Sequence, residues 1–304
     1  MKICRLYFLV LPLLALFSAS CIRDEVPPCP PLRVMIDVRD KNYFNIESVE
    51  RLTGLDKAVD ENLPFRSYVN KLFYVLYDAE TGNVVVERHL HDVEGEARLA
   101  TAYIPEDLPF GKYVMVVWGN ISSEAAILDD GKFTTYNLHM GGVEGYDVYM
   151  TSDTLVYDYA HADYTVSLER VKGKLLIEAV NFPQGVEHSE KVIRGVSDYV
   201  NNNFEYSPVS TTLTTEYDWP VRTHVLTDTY LAPAVMENGV NVGVTLFSES
   251  SRSDSSIKLN DVNVDMNRNE ITVLRYNYDE ITGSVEISVL LNDGWDVVNH
   301  MDVE

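Results

Sequence analysis

The chain has 304 residues and carries 24 Lys and Arg against 47 Asp and Glu, a formal net charge of −23. So acidic a balance excludes nucleic-acid binding as the default function, because affinity for phosphate comes mainly from Lys and Arg. Hydrophobic residues make up 46% and charged residues 23% of the sequence, values that are typical of a folded globular protein and exclude wholesale disorder.

The first 20 residues predict a secretory signal. A basic start precedes an apolar run over 6–16, and small residues at 18–20 lead directly to Cys21. The run is too short to cross a hydrocarbon core about 30 Å thick, which takes about 20 apolar residues. A cysteine at this place resembles a bacterial lipoprotein signal. The resemblance implies cleavage before Cys21 and its acylation, for instance with palmitate, so that the protein stays on outer-membrane lipid.

Residues 21–31 predict a short, stiff tether behind the lipid. The segment holds four prolines, which favour extended backbone. Its acidic pair at 24–25 resembles the surface-export signal of Bacteroidetes lipoproteins. Of the three cysteines, Cys4 leaves with the signal and Cys21 carries the lipid. With Cys29 as the remaining thiol, we expect no internal disulfide and no multi-cysteine metal site.

The body of the chain predicts two β-domains. At about 150 residues per domain, the mature length corresponds to two domains. Apolar and alternating runs bounded by turn residues recur throughout, including a hairpin over 71–90 with a Gly82-Asn83 corner. We therefore predict an all-β protein built from antiparallel strands, with one sandwich over 32–160 and a second over 161–304.

Three segments carry more specific predictions. Residues 47–61 place apolar residues at helical spacing and predict a short helix. Residues 190–202 suit either one face of a helix or a strand, and the sequence leaves both open. The apolar run over 284–291 predicts the last strand, which is followed by a short Asn-Asp-Gly-Trp segment at 292–295.

Motifs for catalysis are absent from the sequence. It holds no G-x-S-x-G elbow, P-loop, H-E-x-x-H or dinucleotide glycine fingerprint. We therefore predict that the protein is not an enzyme and uses no cofactor or metal. His89 and His91 lie two residues apart, as in some metal sites, but they suit a solvated strand face better.

Two positions are candidates for sugar chemistry. Trp219, beside Pro220, is the tryptophan most suited to exposure and to stacking on a sugar, whereas Trp118 lies inside an apolar run and is predicted to be core. Thr154, in the sequence Asp-Thr-Leu, matches a motif that resembles the O-glycosylation site of Bacteroidetes exported proteins. This resemblance predicts modification of the Thr154 hydroxyl.

A series of short motifs also occurs in a fixed order along nearly the whole mature chain. In that order the motifs are Cys21, the Cys29-Pro30 pair, a strand over 32–38, a hairpin with Tyr77, Asp78 and Gly82, the run over 111–120 with Gly-Lys-Tyr and Trp-Gly-Asn, the segments 166–170 and 174–177, and the segment 292–295. The series resembles the FimB-type (Mfa-type) fimbrium-anchor lipoproteins of Bacteroidales.

This resemblance implies two transthyretin-like β-sandwich domains, a place at the base of a type V pilus and no enzyme activity. In such pili a strand from one subunit completes the sheet of its neighbour, a contact in which backbone hydrogen bonds supply affinity. We therefore expect a surface-exposed, lipid-anchored protein of the outer membrane. It would anchor and help assemble a fimbrium, serve cell adhesion, and contact a fimbrial shaft subunit (fimbrilin) by β-strand addition.

Two other functions stay open from the sequence. A surface glycan-binding lipoprotein would use an exposed aromatic residue such as Trp219 on an acidic β-sandwich. A fimbrial tip adhesin would share the fold but occupy the opposite end of the fimbrium. The sequence does not say which fimbrilin is the partner, or whether this chain donates or accepts a strand.

Overall fold

A computed structural model describes residues 29–129, 134–183, 186–219, 224–248, 256–291 and 294–302. The predicted signal peptide and Cys21 lie outside the described residues. Contacts divide the chain between Pro30 and Pro31, and the body from residue 31 onward is one unit. Within the described ranges, no helix is both long enough and apolar enough to cross a membrane.

Strands dominate the described part of the chain, which confirms the all-β prediction. Runs rich in Val, Leu, Ile, Thr and Tyr favour extended backbone. A single α-helix among the described residues, α1, spans Ile46–Thr53. The strands are β1 (Arg33–Val38), β2 (Lys71–Asp78), β3 (Val84–Asp92), β4 (Ala100–Ala102), β5 (Gly111–Gly119), β6 (Ile127–Asp129), β7 (Thr134–Asn137), β8 (Tyr149–Tyr157), β9 (Asp163–Arg170), β10 (Gly173–Val180), β11 (His188–Ser197), β12 (Tyr199–Asn201), β13 (Ser210–Asp218), β14 (His224–Leu231), β15 (Val240–Phe247), β16 (Ser256–Lys258), β17 (Val262–Val264), β18 (Ile271–Asp279), β19 (Ser284–Leu291) and β20 (Gly294–Asp302).

The first sandwich is one seven-stranded sheet that folds over on itself. Its strand order is β3-β2-β5-β8-β9-β1-β4. Strands β8 and β9 share two residue pairs, Tyr149 with Arg170 and Met150 with Glu169, and the sheet turns at this short junction. The two halves enclose a core that β2, β5 and β8 line on one side and β1, β4 and β9 line on the other.

Strand β2 is buried on both faces. Tyr74 and Leu76 pack into the core of the first sandwich, whereas Phe73, Val75 and Tyr77 pack into a second, larger core. A small sheet of order β12-β7-β6 covers this second face. Because both faces are buried, the sequence of β2 is a continuous apolar run and not an alternation.

The second sandwich consists of two sheets, β14-β10-β18-β19-β20 and β13-β11-β15-β16, with β17 paired to β15. Both sheets pack on the larger core. Two strand pairs, β1 with β9 and β10 with β18, are parallel, so the prediction of antiparallel strands is wrong for them. Each parallel pair joins strands that are far apart in the chain, which leaves room for the long crossover that parallel pairing needs.

Residues 190–202, for which the sequence left helix and strand open, form strands. Ser189, Lys191 and Ile193 of β11 point inward at strand spacing, and a bulge between Arg194 and Val196 then adds one residue. The added residue shifts the following inward positions and produces the spacing that also suits a helix.

The predicted helix within 47–61 is present as α1 and packs on the second sandwich. It ends at Gly54, whose positive φ of 75° lets its N–H bond to the carbonyl oxygen of Glu50. Its buried Val49 belongs to a third cluster with Leu176 and Val273, on the outer faces of β10 and β18. A helix that follows the first strand of the first sandwich therefore lies on the second sandwich.

The structure corrects the predicted last strand and leaves the predicted division into two sandwiches untested. The prediction that residues 284–291 form the last strand is wrong, because β20 follows them and pairs with β19. Strand β19 is therefore internal to its sheet and β20 is the edge. The division into sandwiches over 32–160 and 161–304 stays a prediction, and β9, directly after that boundary, is hydrogen-bonded to β1 of the first sandwich.

The contact between α1 and β18 can be tested at Asn45. Its side-chain amide donates to the carbonyl oxygen of Ile271 at 2.8 Å and its oxygen accepts from the Ile271 N–H at 2.9 Å. Replacing Asn45 by Ala leaves both backbone groups unsatisfied. We expect Asn45→Ala to lower the free energy of unfolding by about 1–3 kcal/mol in urea titrations. The exposed Asn62→Ala is the control, and an equal loss in both variants would contradict the role of Asn45.

Candidate functional site: a basic cleft and an open sheet edge

One end of the first sandwich meets the second sandwich at a cavity of about 420 Å³. That volume is typical of small-molecule sites, which occupy roughly 300–1,000 Å³. We call this cavity the basic cleft. Its walls come from the segment after β1, the loop after α1, the ends of β2, β5, β8 and β9, and the strands β10 and β14. Its charged and aromatic lining residues are Lys41, Lys57, Lys71, Arg170, Lys174, Asp147, Tyr43, Tyr68, Tyr146, Tyr149 and Tyr230.

The charge of the cleft is opposite to that of the whole chain. Five basic side chains and one carboxylate, Asp147, line it, whereas the chain carries a net charge of −23. The lining residues are scattered from position 41 to position 230, so no run of basic residues marks the site in the sequence. The folded chain therefore concentrates positive charge that its composition does not suggest.

Arg170, at the end of β9, forms the floor of the basic cleft. Its side chain is 4% exposed. Its Nε donates to Asp147 at 3.0 Å, one terminal nitrogen donates to Asn269 at 2.7 Å, and the other donates to the hydroxyl of Tyr149. Burial, the largest single effect, lowers the pKa of Arg170, but Asp147, Tyr149 and Tyr43 together outweigh it and the pKa is raised. The guanidinium is therefore charged, and each of its three nitrogens has a hydrogen-bond partner.

Tyr43 stacks on this guanidinium. Its ring centre lies 4.0 Å from the central carbon of Arg170, a cation–π contact. The Tyr43 hydroxyl is buried and has no hydrogen-bond partner among the described residues. Burial, with the Asp147 charge second, raises the pKa of Tyr43 well above its usual value, so the hydroxyl keeps its proton. The hydroxyl thus remains an unused donor.

The lysines of the cleft differ in how far they are neutralised. Lys174 lies 3.3 Å from the Asp228 carboxylate and 4.5 Å from the ring centre of Tyr230. The ammonium group of Lys41 donates to the backbone carbonyl of Glu61 at 3.1 Å, which is a neutral acceptor. Within the described ranges, Lys57 and Lys71 form no ion pair. Three ammonium groups at the cleft therefore lack a carboxylate partner in the described part of the chain.

A second buried polar cluster lies behind the cleft, where the loop before β8 covers β14. The ammonium group of Lys172 donates to the carbonyl oxygens of Leu138 and Glu144 at 2.8 and 2.7 Å, and burial lowers its pKa to about 7. The ring of His139 accepts from the Ala232 N–H at 3.1 Å. Burial, followed by the nearby Lys172 charge, lowers the pKa of His139 to about 3. Hydrogen bonds to backbone carbonyl and N–H groups therefore hold this loop in place.

The residues that the sequence singled out do not form a common site. Cys21 lies outside the described residues, and its acylation stays a prediction. Thr154 is exposed on β8, so its hydroxyl is accessible to modification, which also stays a prediction. Trp219 was expected to be exposed, and this is wrong: it is 6% exposed and packs edge-on against Phe182. The core position of Trp118 is confirmed.

Of the two histidines on β3, His89 is exposed and His91 is half-buried. The Nδ1 atom of His89 lies 3.1 Å from a carboxylate oxygen of Glu124, and Nδ1 of His91 lies 2.9 Å from the backbone oxygen of His89. The two rings therefore have separate partners, as a solvated strand face predicts. Across the described ranges, no three His, Cys, Asp or Glu residues are grouped closely enough to hold a metal ion.

The second feature of interest is the free edge of β20, which we call the β20 edge. Strand β20 pairs with β19, and no second strand lies beside it in the described part of the chain. Val297 and Val298, near its middle, are 47% and 42% exposed. Unpaired N–H and C=O groups along an edge strand are a template for pairing with another chain.

No protein-family model matches the chain, and no curated protein sequence matches it. Solved structures do match. A candidate adhesin from Bacteroides ovatus aligns with a TM-score of 0.55 at 12% identity, over 91% of this chain and 97% of that one. This chain shares the fold of these solved structures. A candidate adhesin from Bacteroides thetaiotaomicron gives 0.53 at 13% identity over 90% and 100%, and a candidate polysaccharide-binding protein from the same organism gives 0.54 at 10% over 88% and 98%. Identities this low show the fold alone.

Removing the charge on the cleft floor tests the role of Arg170. Arg170→Met leaves Asp147 without its cation and takes the stacking partner from Tyr43. Breaking a buried ion pair in this way costs about 3–5 kcal/mol. We expect a loss of that order in the free energy of unfolding by urea titration. Arg39→Met removes an exposed pair with Glu169 and should cost less than about 1 kcal/mol. Equal losses would refute the structural role.

The loop behind the cleft predicts a dependence of stability on pH. His139 has a pKa of about 3 in the fold and about 6.5 in the unfolded chain, so the unfolded state binds the proton first. Its contribution to stability is present above pH 6.5 and is lost as the pH falls towards 3. Between pH 7.5 and 5, we expect the wild type to lose about 2 kcal/mol more than His139→Gln in urea titrations. The half-buried His91, on β3 and away from this loop, provides the control: His91→Gln should follow the wild type. Parallel profiles for wild type and His139→Gln would contradict the assignment.

Proposed function

We propose that the protein is a cell-surface adhesion protein that takes part in a fimbrium, held on outer-membrane lipid through an acylated Cys21. The β20 edge carries the proposal, because it offers a fimbrilin a sheet edge on which to add a strand. The names of the structures that share the fold, candidate adhesins, support a role in adhesion. The protein is not an enzyme and acts through binding.

The composition of the edge strands favours β20 as the site of strand addition. Strand β3 has an open edge as well, but its middle carries Glu87, Arg88 and His89, charges of the kind that protect edges from pairing. The loop before β8 lies against the end of β14, where the Glu144 carboxylate accepts from the N–H of Tyr230. Strand β20 instead presents two neighbouring exposed apolar residues, Val297 and Val298, at its bulge, which an added strand can cover.

In this contact, our chain accepts an added strand and the fimbrilin donates it. Strand β20 is hydrogen-bonded to β19 from the 284–302 pair to the 291–294 pair, with one bulge, so its release would open the sheet. A strand added outside β20 leaves every existing pair in place. This direction of transfer therefore costs no native hydrogen bonds. The fimbrilin is the partner because the contact repeats the strand addition that the family resemblance implies.

Site-specific photo-crosslinking in the native bacterium tests this contact. A benzophenone amino acid at Val298 should crosslink to a fimbrilin, identified by mass spectrometry. The same amino acid at Ile281, 96% exposed at the β18–β19 turn, is the control for accessibility, and Val85 reports on the competing edge of β3. A fimbrilin crosslink at Val85 or Ile281 but not at Val298 would reject the β20 edge.

Immunogold labelling of the same cells then places the protein along the fimbrium. Label at the fimbrial base, with fimbriae released or lengthened when the gene is deleted, supports an anchor. Label at the distal end identifies a tip adhesin. Unchanged fimbriae in the deletion strain, together with the absence of any fimbrilin crosslink, would overturn the fimbrial role altogether.

A further inference from the structure

The basic cleft brings five basic side chains and five tyrosines together in one cavity. We propose that it binds an acidic saccharide, a sugar that carries carboxylate or sulfate groups. The inference goes beyond the proposed fimbrial role, which rests on the β20 edge and not on the cleft.

Electrostatics selects an anion at this place. Arg170 and Asp147 neutralise each other, and Asp228 pairs with Lys174. The ammonium groups of Lys41, Lys57 and Lys71 are then left as net positive charge on the walls. The Debye length is about 8 Å at physiological salt, so only nearby carboxylates oppose these charges. Glu50 accepts from the backbone N–H of Lys57 and Glu61 accepts from the Asn42 side chain, so they reduce the positive potential but form no ion pair with the three ammonium groups. An anion that enters gains charge-assisted hydrogen bonds, which are stronger than neutral ones.

The remaining lining favours a sugar over other anions. Tyrosine rings have an apolar body that packs on the C–H face of a sugar and a hydroxyl that both donates and accepts, as sugar hydroxyls do. Tyr146 is 61% exposed at the rim, and Tyr68 and Tyr230 are partly exposed on the walls. Phosphate and nucleotide sites typically use the N–H groups of glycine-rich turns or helix N-termini, and no glycine lines this cleft.

The cleft is also held in shape before any ligand arrives. Asn120 donates to the backbone oxygens of Tyr68 and Asp147 at 2.8 and 3.1 Å, and its own oxygen accepts from the N–H of Asn70. The Arg170 guanidinium stacks against the ring of Tyr43 and fixes its position. A preformed site loses little conformational entropy on binding. The Tyr43 hydroxyl itself is buried, so Tyr43 contributes its ring and not its hydroxyl to the wall.

Calorimetric titration of the full mature chain tests the proposal with defined probes. Trigalacturonate carries carboxylates, a heparin-derived tetrasaccharide carries sulfates as well, and maltotriose is the neutral control. We expect at least one acidic probe to bind with a submillimolar dissociation constant and maltotriose to bind at least about tenfold more weakly. Comparison of the two acidic probes shows whether carboxylate or sulfate is preferred.

A pair of double variants separates the cleft from the general charge of the protein. Lys57→Gln with Lys71→Gln should weaken binding of the acidic probe at least about tenfold, since it removes two charge-assisted contacts. Lys112→Gln with Lys258→Gln removes the same charge from exposed positions on β5 and β16, outside the cleft. This control pair should bind like the wild type. Thermal unfolding of both pairs checks that the fold is intact.

Several outcomes would overturn the inference. One is no binding of either acidic probe at millimolar concentration. A second is equal weakening by the two variant pairs, which would show a non-specific charge effect. A third is equal affinity for maltotriose, which would show a sugar site without selection for charge. A fourth is tighter binding of an oligothymidylate than of both acidic saccharides, which would assign the cleft to nucleic acid.

Discussion

The buried guanidinium of Arg170 is the constraint on which the arrangement of this molecule depends. A charge that is withdrawn from water has to find partners for its donors, and a guanidinium has five of them. Here the partners are Asp147 and Tyr149 at the start of β8 and Asn269 before β18, with the ring of Tyr43 stacked on one face. Segments from both sandwiches therefore have to meet at one point. The junction that makes the cleft is specified by this requirement.

The same junction explains how an acidic protein presents a basic site. Carboxylates outnumber basic residues about two to one, so the surface as a whole is negatively charged. Asp147 is the one carboxylate that lines the cleft, and Arg170 neutralises it. The ammonium groups of Lys41, Lys57 and Lys71 line the same cavity without an ion-pair partner among the described residues. Charge is segregated by the fold and not by blocks in the sequence.

The two edge strands of one sheet, β14 and β20, differ in the contacts that their open sides make. The loop before β8 contacts the end of β14, where His139 accepts from the Ala232 N–H, and Lys172 from the β9–β10 turn donates to the loop carbonyl of Leu138. The open edge of β20 has no such cover among the described residues. Cleft and edge lie on different strands of the same sheet, since β14 and β20 are its two edge strands. Binding of a small ligand and addition of a strand are therefore compatible in one molecule.

Local signals in the sequence determined the all-β class, the β2–β3 hairpin at Gly82, the helix α1 and the core position of Trp118, because periodicity and turn chemistry act over a few residues. The tertiary structure alone decided the parallel pairs, the burial of Trp219, the extra edge strand β20 and the basic cleft. In the cleft, Lys57 and Lys174 are separated by more than a hundred residues and carry no joint pattern. They come together because strand ends from two sandwiches converge on a buried charge, and sequence periodicity does not encode such long-range contacts.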